Sequence, residues 1–334
     1  MQVLIVNQSE VRRLLPMGEC MAVMAEALSA LARGDAILPL RPIMWLPEKR
    51  GALALMPSYL DDIKAIGVKV ITVMPGNHGT AYDSHQGAVL LFEATHGRLL
   101  AMMDATSITA IRTAAVSGVA TRLLARDDAQ SLAILGSGVQ ATTHLAAMCE
   151  ARAITSVAVW SRSAEHATRF AEREGERHGI TIRVANTVED AVAAADIICT
   201  TTAAREPVLR GEWITPGTHI NAVGASVPSS RELDTTAVAR ARLYVDRRES
   251  ALSEAGDFLI ARSDGAINDD HIVAEVGELL LGTAIGRQTQ GEITLFKSLG
   301  LAIEDLAAAN YIYTKAVEMR MGTLVELGGE RDDD

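Results

Sequence analysis

The stretch SerLeuAlaIleLeuGlySerGlyValGlnAla, residues 131–141, restricts the fold more than any other part of the chain. An apolar strand runs into Gly136-Ser137-Gly138 and straight on into helix-forming residues. Bare backbone at such a turn can approach a pyrophosphate. Gly136 permits the tight turn, Gly138 admits phosphate oxygens, and small Ala141 lets the helix pack on the strand. The positive end of the helix then faces the anion. Packing alone also produces glycine-rich strand-to-helix turns, so the flanking pattern decides what the motif is worth.

That pattern supports dinucleotide binding. Strand 131–135 and a helix from Val139 are followed by strand 157–160 and a helix from Ser163. Strand 182–184, a helix over 188–193, and strands 196–201, 219–223 and 242–245 complete the expected series. Such alternation means parallel strands with covering helices. The earlier part reads differently. Asn7-Gln8-Ser9 caps a short helix ending near Leu15-Pro16. A second helix carries Met17, Met21, Met24, Leu28 and Leu31 on one face until Gly34-Asp35 stops it. Residues 37–46, 52–57, 66–74, 87–93 and 99–104 then read as strands in succession, which predicts a separate, mainly antiparallel unit. A long helix spans 106–124, and a last one over 303–319 returns to the first unit with no further strands to serve. The expected fold is α/β: a Rossmann-type parallel-sheet domain (118–301) plus a mixed α+β domain (1–117 with 302–330).

With 334 residues the chain has room for two domains, and 49% hydrophobic residues supply their cores. A formal net charge of −11 argues against nucleic acid and anionic membrane as partners, since both need a basic face. Cys20, Cys149 and Cys199 lie far apart in apolar surroundings and read as free thiols. The histidines show no metal-ligand spacing, so no metal is expected. The first residues do not read as a leader, and no run of about 18 apolar residues occurs. The expected location is the cytoplasm. Residues 330–334, GluArgAspAspAsp, read as a solvated tail.

Two features bear on chemistry. The second strand of the Rossmann pattern ends in Ser161-Arg162-Ser163, where NAD-binding folds usually carry a carboxylate for the ribose hydroxyls. A guanidinium and two hydroxyls suit a 2′-phosphate and point to NADPH, with NADH also possible. Thr200-Thr201-Thr202 and Val223-Gly224 fall at strand ends where such sheets receive ligand. The second feature is three cations in apolar settings: Arg41, Lys69 and Arg112. An unpaired buried cation costs several kcal/mol, so each needs an anion or a rim position. A structural ion pair or snorkelling explains any one of them. All three together suit a pocket for a small carboxylate, with two guanidinium forks and one tunable lysine. Ser84-His85-Gln86 ends a polar loop, where His85 reads equally as a site donor or as a satisfied loop residue.

Taken in order, these segments resemble the ornithine cyclodeaminase/mu-crystallin family. The resemblance runs through Arg41-Pro42, LeuMetProSerTyr (55–59), GlyValLys (67–69), SerHisGln (84–86) and AspAlaThrSerIleThrAlaIleArgThrAlaAla (104–115). It continues through GlySerGlyValGlnAla, HisIleAsnAlaValGlyAlaSer (219–226), ArgGluLeuAsp (231–234), GluAlaGlyAsp (254–257) and PheLysSerLeuGly (296–300). It implies a homodimer whose first domain binds substrate and dimerises while the Rossmann domain holds the cofactor. By position, Lys69 and Arg112 then look catalytic. Arg41, Met56, Lys69 and Arg112 look like substrate contacts. Ser84, His85, Gln86, Arg112, Gly136, Gly138, Val139, Gln140, Ser161, Arg162, Ser163, Thr202, Val223, Gly224 and Ser298 look like cofactor contacts.

Two departures bear on the activity. The family's cyclodeaminases have an acidic residue just after the ValGly turn, where this chain has Ser226, and a glutamate near Met56. Without those carboxylates the likeness favours mu-crystallin-type ketimine reductases, which use NADPH. The expected reaction is reduction of 1-pyrroline-2-carboxylate or 1-piperideine-2-carboxylate to the cyclic amino acid. Ornithine cyclodeaminase activity, alanine dehydrogenase-like reductive amination and non-catalytic binding of NADPH or another small ligand are the alternatives.

Overall fold

The structure is a computed structural model that describes residues 2–77 and 80–329. The expected tail at 330–334 lies outside the described residues. The chain divides into two units, Met1–Arg112 with Leu301–Asp334, and Thr113–Gly300. The first carries strands β1 (Gln2–Val6), β2 (Ala36–Ile37), β3 (Ile43–Trp45), β4 (Ala52–Leu60), β5 (Ala65–Val73), β6 (His85–Glu93) and β7 (Leu99–Asp104). The second carries β8 (Ser131–Leu135), β9 (Ser156–Trp160), β10 (Ile182–Val184), β11 (Ile197–Thr200), β12 (His219–Ala222), β13 (Arg242–Val245), β14 (Ile272–Glu275) and β15 (Thr294–Lys297). The last strand, β16 (Thr323–Glu326), belongs to the first unit.

The first unit is a sheet in the order β16-β1-β7-β6-β5-β4-β2, with β3 beside β4. Neighbours run antiparallel except β1 and β7. Strict alternation gives it two faces. Ala54, Met56, Ser58, Lys69, Ile71, Val89, Leu91, Ala101 and Met103 are buried on one of them. The C-terminal helix Ala302–Met319 packs on that face. It comes very close at Gly67, where a Cβ would stand 2.9 Å from Leu306 Cδ1. Ser58 Oγ donates to the Ala302 carbonyl at 3.1 Å and fixes the helix start. The helix Met17–Arg33 buries Met21, Met24 and Leu28 as its period requires, and Gly34 ends it in the left-handed conformation at φ +86°.

The second unit is a sheet of eight parallel strands in the order β10-β9-β8-β11-β12-β15-β13-β14. Strand order reverses beside β8, and ligands of doubly wound sheets bind in the crevice at such a switch point.

Four expectations need correction. Residues 37–46 are not one strand, because Pro39 and Pro42 separate β2 from β3, and proline cannot donate to a ladder. The parallel series does not end at residue 245: β14 and β15 follow, and β15 inserts between β12 and β13. Both are four residues long, too short for a period to be read. β1 and β16 were not anticipated; they extend the first sheet at one edge. Cys149 is half-buried, while Cys20 and Cys199 are buried as expected.

The approach at Gly67 yields a test. Gly67→Val should push the C-terminal helix off the sheet and destabilise the protein by about 1–3 kcal/mol. Chemical denaturation measures it, and an unchanged midpoint would contradict the packing described.

Candidate active site

Lys69 and Arg112 are brought together with two carboxylates that the sequence reading did not single out. Lys69 is on β5, in register with Met56 on β4 and Val89 on β6. Its stem therefore lies between apolar neighbours. Its ammonium ion-pairs with Asp305 Oδ2 at 2.7 Å and donates to Thr109 Oγ1 at 3.3 Å. Arg112, on the helix Ala105–Leu124, donates from Nε to Asp305 Oδ1 at 2.9 Å and from NH1 to Glu304 Oε2 at 2.6 Å. All four side chains are at most 4% exposed.

The electrostatics follow from this burial. Desolvation drives the Lys69 ammonium down to a pKa of about 8; Asp305 opposes the fall, and Arg112 and Arg41 add to it. Burial also acts against the Arg112 charge, but Asp305 and Glu304 outweigh it and hold the guanidinium above its ordinary value. The anions that the sequence argument required for Lys69 and Arg112 are thus internal. Arg112 has committed Nε and NH1 to Asp305 and Glu304, so the structure does not offer the open fork for a substrate carboxylate that the sequence suggests. Arg41 is half-buried ahead of β3, close enough to Lys69 to act on its charge. Signals for Glu304 and Asp305 were present in IleGluAspLeuAlaAlaAla, two carboxylates inside an apolar run.

In the second unit the glycine turn has the geometry expected of it. Gly136 sits at φ +127°, and a Cβ there would be 2.7 Å from Thr201 Oγ1. Gly138 begins the helix Val139–Ala151 with no side-chain cap, and open space surrounds its missing Cβ. Gln140 Oε1 is buried with no hydrogen-bond partner among the described residues. An uncapped helix start and bare backbone, both offering N–H donors, fit a dinucleotide phosphate at this turn. Val139 is exposed, as is Arg162, which follows β9 between Ser161 and Ser163. Ser137 Oγ donates to Ser161 Oγ at 3.0 Å. Ser163 Oγ caps the helix Ala164–His178 by accepting from the His166 N–H at 3.3 Å.

Thr202, Val223, Gly224 and Ser298 gather at the carboxyl ends of β11, β12 and β15, around a second buried charge group. Glu232 accepts from Thr200 Oγ1 (2.7 Å), Thr202 N (2.6 Å), Thr202 Oγ1 (2.7 Å) and Gly224 N (2.7 Å). Asp257 Oδ1 takes the backbone N–H groups of Glu232 and Leu233 at 2.8 and 3.0 Å, and Asp257 Oδ2 pairs with Lys297 Nζ at 2.9 Å. A Cβ on Gly224 would overlap the Thr202 carbonyl oxygen. Burial pushes the Glu232 carboxyl up, Lys297 opposes that and Asp257 adds to it. Ser298 N donates to the Ala222 carbonyl at 3.0 Å. Glu232, Asp257 and Lys297 lie in the segments ArgGluLeuAsp, GluAlaGlyAsp and PheLysSerLeuGly that carry the family resemblance.

Ser84, His85 and Gln86 lie in the first unit at the start of β6. Ser84 Oγ hydrogen-bonds His85 Nδ1 at 3.0 Å, and Gln86 Nε2 donates to the Asp83 carbonyl at 3.1 Å. His85 and Gln86 are exposed.

Known proteins resemble this chain in sequence and in fold. Residues 1–320 match the ornithine cyclodeaminase/mu-crystallin family. The ketimine reductase mu-crystallin of Mus musculus is 44% identical over 281 residues, covering 84% of this chain and 85% of the relative. Among solved structures, the Δ1-pyrroline-2-carboxylate reductase of Thermococcus litoralis, in complex with NADH and L-proline, superposes with a TM-score of 0.94. It is 41% identical, with 96% of this chain and 99% of that one covered. An archaeal alanine dehydrogenase dimer with bound NAD gives a TM-score of 0.92 at 34% identity, covering 98% of this chain and 100% of that one.

The four donors on Glu232 predict that Glu232→Gln destabilises the fold by about 1–3 kcal/mol, since an amide nitrogen cannot accept their hydrogen bonds. Denaturant midpoints of the two proteins measure the loss; equal midpoints would show that the donors are satisfied in another way.

Proposed function

The chain belongs to the ornithine cyclodeaminase/mu-crystallin family, and from that premise we propose that it is a nicotinamide-dependent reductase of cyclic ketimine carboxylates. Its substrates are 1-pyrroline-2-carboxylate and 1-piperideine-2-carboxylate, its products proline and pipecolate. The observation that carries this reading is the buried Lys69 ammonium, held 2.7 Å from Asp305 Oδ2, with the Arg112 guanidinium on the other oxygen of the same carboxylate. Hydride addition to carbon needs an electrophilic, protonated C=N, and Lys69, directly or through water, supplies or maintains that proton. Arg41 and the uncommitted N–H groups of Arg112 hold the substrate carboxylate. A bound reduced nicotinamide supplies the hydride. The protein orients the substrate and excludes water, effects worth several kcal/mol.

Met56 sharpens the choice within the family. It faces the same side as Lys69 and directly opposes it in register. A thioether there cannot act as acid or base toward a second amino group, which disfavours ring closure of a diamine. Cofactor residues are proposed at the glycine turn, at Ser161-Arg162-Ser163 and around Glu232. Arg162 supports preference for NADPH, with NADH as the lesser substrate.

We also infer a homodimer. The outward face of the first sheet presents Leu55, Ile66 and Met102, about two-fifths exposed, on three different strands. Half-buried Val68, Val70, Leu90 and Phe92 continue that face. A broad apolar sheet face of this kind suits burial against a second copy.

Absorbance at 340 nm with NADPH and each cyclic imino acid tests the activity. Lys69→Ala should lower kcat at least about 100-fold while the NADPH Kd stays within about twofold, and unchanged turnover would remove Lys69 from the mechanism. Because the ammonium is the active form, kcat/KM should fall as pH rises through about 8. Light scattering of Ile66→Lys should show half the native mass; an unchanged mass would place the dimer contact elsewhere.

A further inference from the structure

We propose that Asp305 is the positioning residue of this site: its one carboxylate sets the Lys69 ammonium and the Arg112 guanidinium at a fixed separation, so that Lys69 keeps both its proton and its aim. The inference rests on the role given to Lys69 above and goes beyond it. Three elements meet at this carboxylate. Lys69 comes from β5, Arg112 from the helix Ala105–Leu124 and Asp305 from the helix Ala302–Met319. One oxygen serves each cation, at 2.7 and 2.9 Å. The carboxylate itself has little freedom. Its helix is tied to β4 by the Ser58–Ala302 hydrogen bond and lies against Gly67 through Leu306, on either side of Asp305.

The groups around Lys69 make Asp305 its counter-charge. From β4 and β6 it faces Met56 and Val89, which carry no charge. The helix Ala105–Leu124 brings Thr109 and the cation Arg112. The segment before β3 brings the cation Arg41. The helix Met17–Arg33 brings Cys20, a buried neutral thiol in the field of Arg112 and Glu304. The C-terminal helix brings Asp305, together with Glu304, which bonds Arg112. Without the Asp305 charge, burial and two neighbouring cations all favour loss of the Lys69 proton. The Lys69 ammonium itself ion-pairs with Asp305 Oδ2 at 2.7 Å and donates to Thr109 Oγ1 at 3.3 Å.

The test compares pH profiles of kcat/KM for the native enzyme, Asp305→Asn and Glu304→Gln, with NADPH and 1-pyrroline-2-carboxylate. Circular dichroism and the NADPH Kd verify folding independently of turnover. Asp305→Asn should move the alkaline limb down by roughly one pH unit or more. The loss of rate should therefore be several-fold larger at pH 8 than at pH 6. Glu304→Gln, which leaves the Lys69 partner in place, should keep the native limb. A merely structural role would lower the whole profile without moving the limb, and that result would overturn the proposal, as would an equal limb shift in Glu304→Gln. If Asp305→Asn does not fold, Asp305→Glu serves: it should retain the limb yet lose at least about tenfold in kcat, and native kcat would overturn positioning. An unaltered Asp305→Asn profile beside an inactive Lys69→Ala defeats this inference alone. An active Lys69→Ala defeats the functional reading.

Discussion

Two cations and two carboxylates share a dry space against the inner face of the first sheet, and much of the fold follows from keeping them together. Breaking one buried pair costs about 3–5 kcal/mol because the partner stays charged and desolvated. Lys69 and Arg112 lie in the first 112 residues, while Glu304 and Asp305 lie beyond residue 300. The chain therefore has to return to its first unit after building the Rossmann sheet. Its last helix does so with an almost wholly buried first half, where Ala302, Ile303, Leu306, Ala307, Ala308 and Ala309 surround the two carboxylates. Small side chains and Gly67 let that helix come close enough for short ion pairs.

The second unit applies the same physics to backbone rather than to a substrate pocket. Glu232 gathers donors from the ends of β11 and β12, and Asp257 holds the backbone at Glu232 and Leu233 while pairing with Lys297. Loops at the carboxyl ends of a parallel sheet have few ladder bonds to hold them. A buried carboxylate with both oxygens committed gives these loops one conformation. That rigidity suits a ligand crevice at the carboxyl ends of these strands.

Much of this was legible in the residues. The glycine turn after β8 was readable because strand, turn and helix each leave a distinct local pattern, and the structure gives Gly136 the positive φ that its role implies. Cations in apolar surroundings drew attention to Lys69 and Arg112 for a sound reason: burial demands a partner. What stayed hidden was the identity of that partner. Sequence separation of nearly 200 residues between Arg112 and Asp305 carries no local signal. The two carboxylates on the last helix are inconspicuous in the sequence because charges on a helix usually face solvent. Strands β14 and β15 were missed because four residues are too few to show a period. Ser226 and Met56 were legible only against the family pattern, and Met56 then proved to be the cross-strand neighbour of Lys69.

If Lys69 acts as proposed, it faces the ring nitrogen of a bound cyclic imino acid while Asp305 remains its counter-ion. A crystal structure with NADP⁺ and L-proline tests it most directly. The expected result places the proline nitrogen within hydrogen-bond distance of Lys69 Nζ and its carboxylate on Arg41 or Arg112, with the Lys69–Asp305 pair intact. Proline bound away from Lys69, or a Lys69 side chain drawn out of its pair to reach the ligand, would contradict it.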